Sequence, residues 1–221
     1  MISKFIDHTL LKPDATQDQI KTLCAEACDH NFAAVCVNAY YVPLAHSLVK
    51  DSEVKVCTVV GFPLGASPSS TKAQEAQVSI EAGADEIDMV INIGALKDKK
   101  YDYVLSDIQA VKEVCDKHSK ILKVIIETSL LNTEEKIQAC KATSLAGASF
   151  IKTSTGFAGG GATVEDITLM KENISESIQI KASGGVRDLE TAQAMIAAGA
   201  SRIGTSSGIA ICKGLDSKSD Y

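Results

Sequence analysis

Eight short apolar or β-branched runs recur along the chain, at residues 5–9, 33–38, 54–60, 86–91, 122–127, 150–153, 178–182 and 201–205. Most lead through a loop holding Gly, Pro, Asn, Ser or Thr into a segment of helical periodicity, as at 18–29, 70–82 and 190–198. Strands that alternate with helices across short connections demand a mostly parallel sheet, since each helix carries the chain back to start the next strand in the same direction. Many of the runs are apolar on both faces, as strands are when helices cover one side and a core fills the other. Three helical segments end on the same punctuation, Ala82-Gly83-Ala84, Ala146-Gly147-Ala148 and Ala198-Gly199-Ala200, where glycine supplies the left-handed step out of the helix. Eight such units predict an α/β fold, a single (β/α)8 TIM barrel over 1–221 with the polar stretch 214–221 as a flexible C-terminal tail. An open doubly wound sheet is the alternative.

Composition narrows the partners. A net charge of −6 argues against nucleic acid or an anionic membrane surface. No apolar run approaches the roughly 18 residues a membrane span needs. The opening MISKFIDHTL meets Lys4 and Asp7 before a signal-peptide core can develop, so a cytoplasmic location is expected. The 7 cysteines include no C-x-x-C pair and are expected to be reduced and packed as small apolar groups. The 4 histidines show neither H-x-H nor H-E-x-x-H spacing, so neither a metal nor another cofactor is expected.

In such a barrel, chemistry belongs at the C-terminal ends of the strands. Alternation along FIKTS places Phe150, Lys152 and Ser154 on one face, and the next run, IKASGG, again carries a lysine near its exit, Lys181. Neighbouring strands lie about 5 Å apart, so the two amino groups are expected to lie close together. Asp88 sits inside an apolar run, while Lys123 and Glu127 stand at either end of the fifth run. Buried charges must pair or be neutralised, so a structural ion network is one reading of these five. Two like charges on adjacent strands with a carboxylate between them favour chemistry. A neighbouring cation and desolvation both penalise an ammonium, and lowering a lysine pKa by about 3 units corresponds to about 4 kcal/mol. Lys152 is accordingly expected to be a neutral amine able to form a Schiff base. Glycines at 156, 159–161, 184, 185, 204 and 208, with Ser206 and Ser207 before a short helix at 208–212, let backbone N–H groups approach an anion. Together these features predict a phosphorylated carbonyl substrate.

FIKTSTG (150–156), KASGGVR (181–187), GADEIDMVINIG (83–94), LKVIIET (122–128), TVVGFPLG (58–65), GTSSG (204–208) and IDHTLLKPDAT (6–16) together resemble the deoxyribose-phosphate aldolase family over nearly the whole chain. The resemblance implies a class I aldolase, needing no metal, that reversibly cleaves 2-deoxy-D-ribose 5-phosphate to acetaldehyde and D-glyceraldehyde 3-phosphate in deoxyribose phosphate catabolism. It implies Lys152 as the Schiff-base lysine, Lys181 as the group that lowers its pKa and joins proton transfer, and Asp88 as an acid/base partner acting through water. Gly156, Gly184, Gly185, Ser206 and Ser207 match phosphate-binding positions, with Arg187 nearby. Asp7 and Thr9 match residues near substrate and water, Cys36 a cysteine close to the site, and the terminal Tyr221 a tail that dips into it. Relatives are commonly homodimers or homotetramers. The loop GFAGGGAT departs from the GFSTGGAT of many members, so Ala158 and Gly159 lack two hydroxyls, and other members carry a lysine where Phe157 stands. A different Schiff-base barrel and a non-catalytic phosphometabolite binder are the competing readings.

Overall fold

The computed structural model describes residues 2–215. Tyr221 and all of the predicted tail beyond Leu215 lie outside the described residues. The elements follow the order β1 (Ile6–Leu10), α1 (Gln17–His30), β2 (Ala34–Val37), α2 (Val42–Val49), β3 (Lys55–Val60), α3 (Ser69–Glu81), β4 (Glu86–Val90), α4 (Ile93–Lys97), α5 (Tyr101–Lys117), β5 (Ile121–Ile125), α6 (Thr133–Leu145), β6 (Phe150–Lys152), α7 (Val164–Asn173), β7 (Gln179–Ser183), α8 (Leu189–Ala198), β8 (Arg202–Thr205) and α9 (Gly208–Lys213). The strands pair in chain order, all parallel, and β8 closes on β1 through Ile6–Ile203 and Asp7–Gly204. This closed (β/α)8 barrel replaces the open-sheet alternative, because every strand has a neighbour on both sides.

The glycine punctuation works as its chemistry dictates. Gly83, Gly147 and Gly199 have φ of 112°, 69° and 127°. Each lets the following N–H reach back to a carbonyl of the last helical turn, Ala84 to Ser79, Ala148 to Thr143 and Ala200 to Met195. These bonds satisfy carbonyls that the helix end would leave unpaired and aim the chain at the next strand.

Two cores result. Outward-facing strand residues such as Ile6, Val35, Val56, Ile87, Val124, Ile151 and Ile203 pack under the helices in one continuous apolar layer. Inside the barrel, a small apolar cluster of Leu11, Ala34, Cys36, Cys57 and Val59 fills only the side toward β2 and β3. Much of the remaining interior is charged, with Asp7, Glu86, Asp88, Lys123, Lys152 and Lys181 all buried. Outside it, Lys72 on α3 is wholly buried and donates to Asp107 Oδ2 on α5 at 2.5 Å and to the Val90 carbonyl at 2.9 Å, pinning the exit of β4 between two helices. No helix among the described residues is long and apolar enough to cross a membrane.

Candidate active site

The register explains how the interior charges meet. Lys152 and Lys181 are partners across β6 and β7, and Asp88 and Lys123 are partners across β4 and β5. Inward alternation on β1 and β4 adds Asp7 and Glu86, and the first residue of β8 adds Arg202.

Asp88 is the hub. Its Oδ1 accepts from Lys123 Nζ at 2.7 Å, and its Oδ2 accepts from both Lys152 Nζ and Lys181 Nζ at 2.8 Å. One carboxylate oxygen thus holds the two lysine nitrogens of adjacent strands. Deeper in, Lys181 also donates to Asp7 Oδ2, Arg202 donates to Asp7 Oδ1 at 2.7 Å and to both Glu86 oxygens at 3.2 Å, and Lys123 pairs with Glu86 at 2.6 Å. The Arg202 guanidinium lies 5.4 Å from the centre of the Phe150 ring, a cation–π contact that closes the bottom of the set.

Burial works against the charges of Asp7, Asp88, Lys123 and Lys181, and the opposite charges overcome it. Asp88 is held well below the usual carboxylate range by Lys123, Lys152 and Lys181. Asp7 is held below that range by Lys181, Arg202 and Lys123. Lys181 is raised above an ordinary lysine by Asp7 and Asp88, and Lys123 well above it by Asp88, Cys57, Glu86 and Asp7. Those two lysines therefore carry their protons in the resting site.

Charge counting then isolates one group. Four cationic side chains (Lys123, Lys152, Lys181 and Arg202) face three carboxylates (Asp7, Glu86 and Asp88) in these contacts. A buried excess charge is costly. Lys152 has one carboxylate partner, and it shares that oxygen with a second cation. It is also the lysine nearest solvent, at 2 % exposure against 0 % for Lys123 and Lys181. Of the four, it has the weakest hold in the ion network.

The other sequence-predicted residues divide. Thr9 is buried above Asp7, with its hydroxyl donating to the Asp7 carbonyl at 2.8 Å. Gly156, Gly184, Gly185 and Arg187 line one cavity of about 440 Å³ with Gly159, Gly160 and Gly161. Glycine is required where these loops touch. A Cβ on Gly161 would lie 2.4 Å from the Gly184 carbonyl oxygen, and Gly184 has φ +83°. Ser206 lines a different cavity beside His8, Thr9 and Glu26. Ser207 is buried at the head of α9, with its N–H already donating to Thr205 Oγ1 at 2.9 Å. Phe157 stacks edge-on against Phe62, ring centres 5.3 Å apart, at the mouth of the sixth loop.

Glu127 does not join the lysines. It takes a left-handed backbone conformation, φ 56°, and its carboxylate accepts from the Thr155 N–H and hydroxyl, so that it anchors the loop after β6. Sequence reasoning also missed Glu86, Arg202 and Cys57. Period-2 alternation along the fourth run, which sets Glu86 and Asp88 on one face, is the signal that would have found Glu86.

Fold and site together define a barrel enzyme of the lysine type, with paired amino groups inside the barrel and a glycine-lined cavity among the loops that follow β6 and β7. The model of the DeoC/LacD family aldolases matches residues 1–214, and the chain belongs to that family. A deoxyribose-phosphate aldolase of Staphylococcus carnosus is 58% identical over 219 residues, 99% of each chain. One from Bdellovibrio bacteriovorus is 59% identical over 213 residues, 96% of each. Among solved structures, the deoxyribose phosphate aldolase of Aeropyrum pernix, described as a unique tetramer, superposes with a TM-score of 0.90 at 31% identity, covering 96% of this chain and 89% of that one.

Proposed function

We propose that this chain is a class I aldolase that reversibly cleaves 2-deoxy-D-ribose 5-phosphate to acetaldehyde and D-glyceraldehyde 3-phosphate. The observation that carries this reading is the sharing of Asp88 Oδ2 by Lys152 and Lys181, each at 2.8 Å. Neutral Lys152 attacks the aldehyde carbon of the open-chain sugar, and the carbinolamine loses water to give an iminium. The C2–C3 bond then breaks, with its electron pair flowing into the iminium to leave an enamine as the C3 hydroxyl loses its proton and becomes the new aldehyde. Protonation of the enamine carbon and hydrolysis release acetaldehyde and restore the amine. Asp88, through water, and Lys181 move these protons. Both are held by partners on several strands, so they keep their positions while charge develops on the substrate.

The cavity of Gly156, Gly184, Gly185 and Arg187 is the proposed phosphate end, supported by its exposed arginine and by the close backbone approach its glycines allow. Ser206 and Ser207 are proposed to contribute from the loop after β8. The substrate is a small phosphorylated sugar, not a nucleic acid. A cytoplasmic, homo-oligomeric enzyme fits the sequence and the tetrameric relative.

The test is product analysis. The enzyme should release acetaldehyde from 2-deoxy-D-ribose 5-phosphate, detected by coupled reduction. Cleavage of a ketose phosphate without acetaldehyde would transfer the chain to another Schiff-base aldolase class, and tight sugar-phosphate binding with no turnover would make it a binding protein.

A further inference from the structure

The spacing of the cysteines along the chain gives no metal pattern, yet the sheet brings two of them together. Cys36 on β2 and Cys57 on β3 are register partners, both wholly buried on the inner face of the barrel. Cys57 donates its S–H to Asp88 Oδ1 at 3.1 Å. The two sulfurs and an Asp88 oxygen all lie within 4.8 Å of one another.

We propose that Cys36, Cys57 and Asp88 form a binding site for a thiophilic divalent cation, with Zn²⁺ as the type, and that its occupation shuts the lysine site. Tetrahedral zinc with two thiolates and a carboxylate holds its sulfurs about 3.8 Å apart and each sulfur about 3.6 Å from the oxygen. Cys57 Sγ stands 3.1 Å from Asp88 Oδ1 and all three donors lie within 4.8 Å of one another, so the set has the size that a zinc ion takes. A fourth ligand, water or a solute, completes the tetrahedron. Two soft sulfurs select zinc, cadmium or cobalt over magnesium and calcium, which want oxygen.

The surrounding ammonium groups look hostile to a cation, and the exchange resolves this. Zn²⁺ enters as two thiol protons leave, one from Cys36 and one from Cys57, both taken up by solvent. The metal adds two charges and the thiolates remove two, so the interior keeps its net charge. Lys123 Nζ lies 3.1 Å from Cys57 Sγ and is placed to donate to the thiolate.

The consequence for activity follows from the hub role of Asp88 and rests on the proposed aldolase reading; binding of the ion does not. Metal on Asp88 Oδ1 withdraws charge from the carboxylate whose other oxygen, Oδ2, holds Lys152 and Lys181, so the metal-loaded enzyme does not pass the protons that Schiff-base formation needs. The ion is thus an inhibitor and not a cofactor.

Cobalt titration under reducing, anaerobic conditions tests the site. The full-length protein should bind one Co²⁺ that produces a thiolate-to-cobalt charge-transfer band, displaced by one equivalent of Zn²⁺. Cys36→Ser and Cys57→Ser should each abolish the band, with folding checked by circular dichroism. Zn²⁺ should block borohydride trapping of acetaldehyde at Lys152, a chelator should restore it, and each serine variant should need at least roughly tenfold more Zn²⁺ for the same block. No band in the folded wild-type protein, or an undiminished band in the Cys36→Ser/Cys57→Ser double variant, would overturn the site. A normal band with trapping unaffected by Zn²⁺ would overturn the inhibitory link. A normal band in a protein that never traps acetaldehyde would instead count against the aldolase reading and leave the metal site standing.

Discussion

Replacing Lys181 with methionine removes one of the two ammonium groups on Asp88 Oδ2 while keeping most of the buried volume. The two nitrogens, each 2.8 Å from that shared oxygen, lie no more than about 5.6 Å apart, so two unit charges there repel by at least about 3 kcal/mol at an effective dielectric constant of about 20. That energy corresponds to about two pH units in a protonation equilibrium. The sign is fixed. Without Lys181, Asp88 Oδ2 serves Lys152 alone, the interior has three cations for three carboxylates, and the Lys152 ammonium is no longer the excess charge. Schiff-base formation should therefore need a higher pH. Asp7 keeps Arg202 at 2.7 Å and Lys123 at 3.7 Å, so the barrel retains its counter-charges. The assay is the fraction of Lys152 trapped by borohydride with acetaldehyde as a function of pH, which reads condensation without the later proton transfers. Its acid limb should move upward by about two units, with a loss of roughly a hundredfold at neutral pH. A folded variant whose trapping profile superimposes on that of the wild-type protein would refute the argument that one lysine tunes the other.

Other consequences follow from the same geometry. Lys72→Met strands Asp107 in a wholly buried position and should cost about 3–5 kcal/mol in urea unfolding; a loss below about 1 kcal/mol would show that the pair does not pin α3 to α5. Gly184→Ala puts a Cβ 2.9 Å from Gly161 Cα at φ +83°, so it should raise KM for the phosphorylated sugar far more than for free acetaldehyde; equal changes would separate this loop contact from phosphate binding. Asp88 and Asp7 have depressed pKa values, so their contribution to stability is full above about 3.8 and fades as pH falls below it. Lys181 and Lys123 have raised values, and their contribution is full below about 10.5 and fades above it. Urea midpoints should fall outside that window, and Asp88→Asn should flatten the acid side; an unchanged acid slope in that variant would remove Asp88 from the account.

The barrel was legible because its signals are local. Strand-length runs, helical periodicity and glycine at three helix ends each act within a few residues, and eight repeats leave few topologies. Lys152, Lys181 and Asp88 were legible for a related reason, since a charge inside an apolar run cannot be explained by solvent. Glu86 and Arg202 escaped because each opens its strand, where a charge looks like an ordinary boundary residue. Only barrel closure, which brings β8 beside β1, turns Arg202 toward Asp7. Glu127 misled for the converse reason. Alternation assumes extended backbone, and its left-handed φ of 56° swings the carboxylate out of the series. The division of Gly185 from Ser206 between two cavities depends on loop paths over several elements, which no spacing rule encodes.

Mass mapping after borohydride reduction with acetaldehyde examines the central claim at the atom concerned. A stable ethyl adduct should appear on the peptide bearing Lys152, with Lys181 and Lys123 unmodified, since both carry their protons in the resting site. An adduct on Lys181 in preference to Lys152, or none on any barrel lysine of an active preparation, would contradict the assignment of Lys152 as the neutral amine.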